Sequence, residues 1–224
     1  MKLGKFKQQA KQLKKNVAFG WELLFTKRLK DDKNHPINYK DLECAFITNQ
    51  LKGKSKQKIL NVGSYSRYII GLLSKYHITT LDVYSREPFT KKEKVVTEDI
   101  KDTTLPDESF DVIISTSAVE HFGLGRYGDE IDLDADKKAF EQFKRLLKPN
   151  GLLIFTTTIK KGESEVCFNA NRTYTKEIID SFSDGFTKET EKYISKKKLE
   201  FCQLEDITDK KQTWDIYCGC WRKL

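Results

Sequence analysis

Hydrophobic residues fall along this chain in two alternating rhythms. Short apolar runs bounded by polar or turn-forming residues read as buried strands: Ile59–Val62, Ile78–Val83, a third marked by Val95 and Val96, Asp111–Ser115 around Val112, Ile113 and Ile114, and Leu152–Thr158. Between them apolar residues recur at helical spacing, which gathers them on one face. Ile69, Leu72, Leu73 and Tyr76 predict a helix over 65–76. Phe140, Phe143 and Leu147 predict another, closing on Lys144, Arg145 and Lys148 before the stop signal Pro149-Asn150-Gly151. A short helix is expected over 38–51, and Thr175 caps one that runs to about Phe182 and ends at Asp184-Gly185. Two more strands, within 190–204 and 214–221, are expected as an antiparallel pair at the end of the sheet. This alternation argues for a parallel sheet covered on both faces.

The first forty residues differ in kind. Leu3, Phe6, Ala10, Leu13 and Val17 form an apolar helical stripe set among lysines, and Phe19, Trp21, Leu24 and Phe25 extend it. Residues 1–40 hold eleven Lys or Arg against three acidic residues, whereas the other 184 residues hold 30 of each. The formal charge of +8 therefore belongs to the arm. Its lysines recur too often for a signal peptide or a membrane span. A basic amphipathic helix of this type either docks on the domain with its lysines solvated or lies on an anionic membrane surface through residues 1–30. No stacking-aromatic pattern accompanies the lysines, so nucleic acid is not the expected partner. The boundaries expected are an arm and linker over 1–54 and a single domain over 55–224.

The 224 residues, 38% of them hydrophobic, are enough for one ordinary core. Five cysteines follow neither a zinc nor a disulfide-scaffold spacing, which indicates free thiols and a cytoplasmic protein, peripheral at the inner membrane surface if the arm is used that way. Cys218 and Cys220, two apart on a strand, are expected to project to one face as a buried pair.

Candidate chemistry collects where strands end. The first strand runs into Asn61-Val62-Gly63-Ser64, a turn suited to receiving an anionic group, and Asp82 stands 19 residues beyond Gly63 at the end of the second strand. Asp99, after the third, is placed to accept an amine proton. After the fourth come Glu120 and His121, then Gly123, Gly125 and Gly128 around Arg126 and Tyr127. Asp129, Glu130, Asp132, Asp134 and Asp136 suggest hard-cation ligands. In an EF-hand register, however, Lys137 would fall on the required glycine, so Asp134 or Asp136 capping the next helix is the better account and no metal is expected.

Taken in order over residues 55–222, the segments ILNVGS, TLDV, TEDI, LPDESFDVI, AVEHF and RLLKPNGLLIFTT resemble the class I S-adenosylmethionine-dependent methyltransferases. More narrowly, EHFGLGRYGD, FNANRTY and IYCGCW are similar to a methyltransferase-like group associated with bacterial polysaccharide gene clusters, whose usual forms are EHxGLGRYGD, FNAHR and YGCG. The resemblance implies an α/β fold: a Rossmann-like, doubly wound, mostly parallel seven-stranded sheet with an antiparallel terminal strand. It implies S-adenosylmethionine as cofactor, held by Asn61, Gly63, Ser64, Arg67, Asp82, Asp99 and Ser115. It also implies O-methylation of a saccharide or nucleotide-linked sugar gripped by Arg126, Tyr127, Asn169 and Arg172, with His121 beside Glu120 as general base. The chain departs from the pattern where Asn61 replaces an acid, where Tyr65 and Arg67 occupy glycine positions, and where Asn171 replaces His. These departures suit a second reading, a catalytically silent domain that binds a sugar or nucleotide or serves as an assembly factor of a membrane-associated glycan machine.

Overall fold

Successive side chains on a strand point to opposite faces, and the core sorts accordingly into two layers. On one face Ile59, Ile78, Val112, Ile114, Leu152, Ile154, Cys218 and Cys220 pack against Phe46, Ile47, Ile69, Leu72 and Leu73. The last five come from helices α1 (Tyr39–Gln50) and α2 (Ser66–Leu73). On the other, Leu60, Val62, Ile113, Leu153, Phe155, Tyr217 and Trp221 meet Ala139, Phe140, Phe143, Leu146 and Ile179. Those belong to α3 (Ala135–Leu146) and α4 (Lys176–Ser181). The computed structural model describes residues 38–54 and 56–224. The basic amphipathic helix expected before residue 38 lies outside the described residues.

Ten strands follow in chain order: β1 (Ile59–Val62), β2 (Ile78–Asp82), β3 (Glu93–Thr97), β4 (Phe110–Thr116), β5 (Leu147–Ile159), β6 (Glu165–Cys167), β7 (Asn171–Thr173), β8 (Phe186–Ser195), β9 (Glu200–Cys202) and β10 (Asp215–Lys223). The main sheet is ordered β3-β2-β1-β4-β5-β10-β8-β9. Its first five strands are parallel, and β10 lies antiparallel between β5 and β8. This is the doubly wound, mostly parallel α/β sheet expected, with a larger antiparallel end. It has eight strands where the apolar pattern marks seven, because β9 is a three-residue edge strand carrying no apolar run. The FNANRTY segment, expected as a loop, forms the tip and return strand of a separate β6–β7 hairpin. Cys218 and Cys220 are buried on one face, as their spacing predicts.

Asn38–Leu224 forms one compact unit. The expected boundary at residue 55 leaves out α1, yet Phe46, Ile47 and Leu51 are buried in the core, where the helix packs on β4, β5, β8 and β10. A reciprocal cap starts this helix: the Asn38 side chain accepts from the Lys40 N–H at 2.7 Å, and Asp41 accepts from the Asn38 N–H at 2.8 Å. Among the described residues no helix is long and apolar enough to cross a membrane.

Candidate functional site

At the carboxyl ends of β1, β2 and β4 a cleft opens between Gly63, Asp82, Asp99, Ser117, His121 and Tyr127, with Val83, Ile100 and Phe122 among its apolar walls. Gly63 has φ +63°, and a Cβ there would stand 3.0 Å from the Cβ of Ala118, so the turn after β1 needs glycine for both conformation and space. Asp82 Oδ1 accepts from the Tyr84 N–H at 3.1 Å, and Asp99 Oδ1 accepts from the Lys101 N–H at 3.1 Å. Each carboxylate is thus oriented by its own backbone.

His121 sits on the 3₁₀ turn Val119–His121 that follows β4. Its Nδ1 lies 2.6 Å from the Ala170 carbonyl oxygen. A carbonyl can only accept, so Nδ1 carries the hydrogen and Nε2 keeps its lone pair. Burial holds the imidazole below its ordinary pKa, although the bond to Ala170 opposes this. Burial thus favours the neutral ring. Arg126 Nη1 donates to the same Ala170 oxygen at 3.1 Å, and its guanidinium stands 5.7 Å from the centre of the Tyr127 ring. Tyr127 in turn meets His121 edge-on at 5.8 Å and Tyr84 at 6.2 Å. An aromatic row thus crosses the mouth of the cleft, with one cation at its side.

The loop carrying these groups is held closed from within. Gly123 has φ +68°, and an added Cβ would fall 2.0 Å from the Asp132 carbonyl oxygen, an approach only glycine permits. Arg172, expected to grip an acceptor, is instead buried at 5% exposure beneath this loop. Its guanidinium donates to the carbonyls of Phe122 and Leu133 and stands 3.4 Å from Asp136 Oδ2. Tyr174 also donates to Asp136, at 2.9 Å. The acidic run is accounted for: Glu130 meets Lys101, Asp132 meets Lys138, and Asp129 accepts from the Gly125 and Tyr127 N–H groups. Asp134 occupies the N-cap position of α3 but makes no capping bond with its side chain, which pairs with Lys137. Among the described residues no His, Cys, Asp and Glu grouping could hold a metal.

Several expected site residues lie elsewhere. Glu120 points away from His121 because neighbours on a 3₁₀ turn diverge by about 120°. It is 2% exposed, accepts from the Thr157 hydroxyl at 3.0 Å, and is pushed up to about 7 by burial. Ser115 is fully buried within β4, and Asn61 is buried beside Thr80 at 3.4 Å. Ser64 Oγ accepts from the Thr116 N–H at 3.0 Å, tying the turn after β1 to the end of β4. Arg67 is exposed on the first turn of α2, and Asn169 is exposed at the tip of the β6–β7 hairpin. Neither lines the cleft.

Sequence reasoning missed Ser117, whose φ is +44° and whose hydroxyl donates to Glu43. Glu43 is completely buried, also accepts from the Thr156 hydroxyl at 2.6 Å, and lies 3.0 Å from Lys40 Nζ. The available signal was its spacing of three and four residues from Phe46 and Ile47, which puts an acid on the apolar face of α1.

Residues 79–213 match the model of a family described as Caenorhabditis protein of unknown function, DUF268. The chain belongs to this family. No curated protein matches its sequence. Among solved structures, the DUF268 chain is similar to Burkholderia thailandensis 1,6-didemethyltoxoflavin-N1-methyltransferase, crystallised with S-adenosylhomocysteine. The TM-score is 0.61 at 14% identity, over 97% of this chain and 89% of that one. It is similar also to the N-methyltransferase NodS of Bradyrhizobium japonicum, with TM-score 0.58 at 14% identity over 92% and 97% of the two chains. A third neighbour is the (4+2)-cyclase SpnF, with TM-score 0.59 at 13% identity over 86% and 84%. At such identities the likeness establishes the fold, which is that of the class I methyltransferases.

Proposed function

We propose that the cleft binds S-adenosylmethionine and that the protein methylates a hydroxyl of a saccharide or nucleotide-linked sugar. The observation that carries this reading is the convergence of Gly63, Asp82, Asp99 and His121 on one cleft. The residues suit the nucleoside part of the cofactor. Asp82, with one oxygen engaged by backbone, would accept from ribose hydroxyls, and Asp99 from an exocyclic amine. Val83, Ile100 and Phe122 supply apolar walls for a base. When bound, S-adenosylmethionine supplies an electrophilic methyl group. The residues of this chain hold the acceptor and handle its proton. The neutral His121 Nε2 receives the proton of the attacking hydroxyl, while Nδ1–H, fixed on Ala170, keeps the ring in that tautomer. Tyr127 and Tyr84 offer ring faces to a sugar, and Arg126 offers a cation to a phosphate or carboxylate on it.

Isothermal titration with S-adenosylmethionine and with S-adenosylhomocysteine tests the reading. Micromolar binding is expected, about −8 kcal/mol, and Asp82→Ala should weaken it. His121→Ala should keep cofactor binding and lose methyl transfer to sugar acceptors. Absence of heat with either compound would sink the enzymatic reading in favour of a domain that binds sugar or nucleotide without transferring a methyl group. Exposed Tyr65 and Arg67, where the class I methyltransferase pattern has glycine, give that outcome its physical basis.

A further inference from the structure

Ser117 and Glu43 take no part in the reaction proposed above, yet one lines the cleft and the other is buried behind it. Ser117 follows β4 with φ +44°, a left-handed conformation that costs a serine energy and persists only where its surroundings enforce it. Two bonds do so here. The Ser117 N–H donates to the Thr156 carbonyl at 3.0 Å, and the Ser117 hydroxyl donates to Glu43 Oε1. Glu43, fully buried on α1, is itself fixed: Oε1 also accepts from the Thr156 hydroxyl at 2.6 Å, and Oε2 lies 3.0 Å from Lys40 Nζ. With its N–H and its hydroxyl hydrogen both spent, Ser117 keeps the lone pairs of Oγ. It can accept from a ligand but cannot donate to one, which excludes a carboxylate or phosphate oxygen as its partner.

The surrounding charges favour a cationic donor. Lys40 acts on Glu120 as well as on Glu43, whereas Lys196, which also feels Glu43, feels Asp215 more strongly. Three carboxylates thus share two lysines. Burial pushes Glu120 up to about 7, and the charge of Glu43 adds to the rise. A further cation beside Glu43 relieves that excess, and its hydrogen bond to Ser117 is charge-assisted. The order of strands says which part of a ligand arrives there. Across β3, β2, β1 and β4 the cleft presents Asp99, Asp82, Gly63 and Ser117 in turn. With the nucleoside of S-adenosylmethionine at Asp99 and Asp82, its methionine end extends over Gly63 toward Ser117. That end carries one cationic group with hydrogens to donate, the α-ammonium, since the sulfonium has none. We propose that Ser117 accepts from the α-ammonium of S-adenosylmethionine and that Glu43 is the positioning residue that holds Ser117 in place to do so.

The inference rests on the S-adenosylmethionine reading of the cleft, and its test separates the two. Full-length wild type, Ser117→Ala and Glu43→Gln are titrated calorimetrically with S-adenosylhomocysteine and with its deamino analogue, in which hydrogen replaces the amino group. The wild type should prefer S-adenosylhomocysteine by roughly tenfold or more, the worth of one hydrogen bond to a charged group. Both variants should lose most of that preference while binding the analogue as the wild type does. Equal weakening of both ligands, which a merely structural role would give, or an unchanged preference in Ser117→Ala would overturn the assignment. Retained preference in a folded Glu43→Gln would overturn the part given to Glu43. Thermal unfolding reports whether that variant is folded; where it is not, Ser117→Ala, which removes one half-buried hydroxyl, decides alone. Equal wild-type affinity for the two ligands would remove the ammonium site and leave the cofactor reading standing. Binding of neither by the wild type would remove both.

Discussion

Glu120 shows how burial changes what a carboxyl does. With its pKa pushed up to about 7 by burial, the folded protein keeps its proton over a range in which an unfolded chain, near the ordinary glutamate value of 4.5, has released it. Between those values the folded state binds more protons, so stability attributable to this group falls as pH rises from about 4.5 and levels off above about 7. Glu120→Gln, neutral at every pH, removes that decline. The variant should gain on the wild type by roughly 3 kcal/mol between pH 4.5 and pH 8, less if the wild type relaxes, measured by urea unfolding at both values. Equal pH dependence in the two proteins would show that another group carries it. That His121, one residue away, lines the cleft was legible from sequence, because a histidine at a strand's carboxyl end faces the ligand side. That Glu120 turns inward was not legible, because it depends on the pitch of a three-residue turn.

At the level of elements, the loop from Phe122 to Leu133 is organised by a residue outside it. Arg172 on β7 binds the carbonyls at both ends of the loop and pairs with Asp136 on α3, so three elements meet on one guanidinium. Arg172→Ala leaves Asp136, 4% exposed, without its counter-charge. Removing one member of a buried pair costs about 3–5 kcal/mol. The variant should unfold at markedly lower urea concentration, and limited proteolysis should cut first between residues 122 and 134. Arg172→Lys keeps the charge but loses the fork, and should fall between the two. Preserved stability and an uncut loop in Arg172→Ala would make the arginine available to ligand after all. The sequence marked the glycines of this loop as special but could not tell a clamp from a ligand contact. Both uses favour arginine, and the difference lies in whether carbonyls or solvent surround it.

For the whole molecule, the five parallel strands and both covering layers follow from apolar periodicity, because strands buried on two faces announce themselves as continuous apolar runs. Edge strand β9 does not, since an edge needs little apolar area, and α1 was set apart from the domain because the lysine-rich segment 52–58 resembles a linker. That segment turns the chain from α1 into β1 while the helix stays in the core. The two boundaries predict different truncations. Deleting residues 1–37 leaves the compact unit whole, so unfolding should stay cooperative. Deleting 1–54 also removes Phe46, Ile47 and Leu51, each worth about 1.5–3 kcal/mol when buried, out of a total near 5–15 kcal/mol for a domain. It removes Glu43 as well, which leaves the hydroxyls of Ser117 and Thr156 without their acceptor. The longer deletion should therefore lose a cooperative transition by calorimetry, and a sharp transition there would restore the boundary at residue 55.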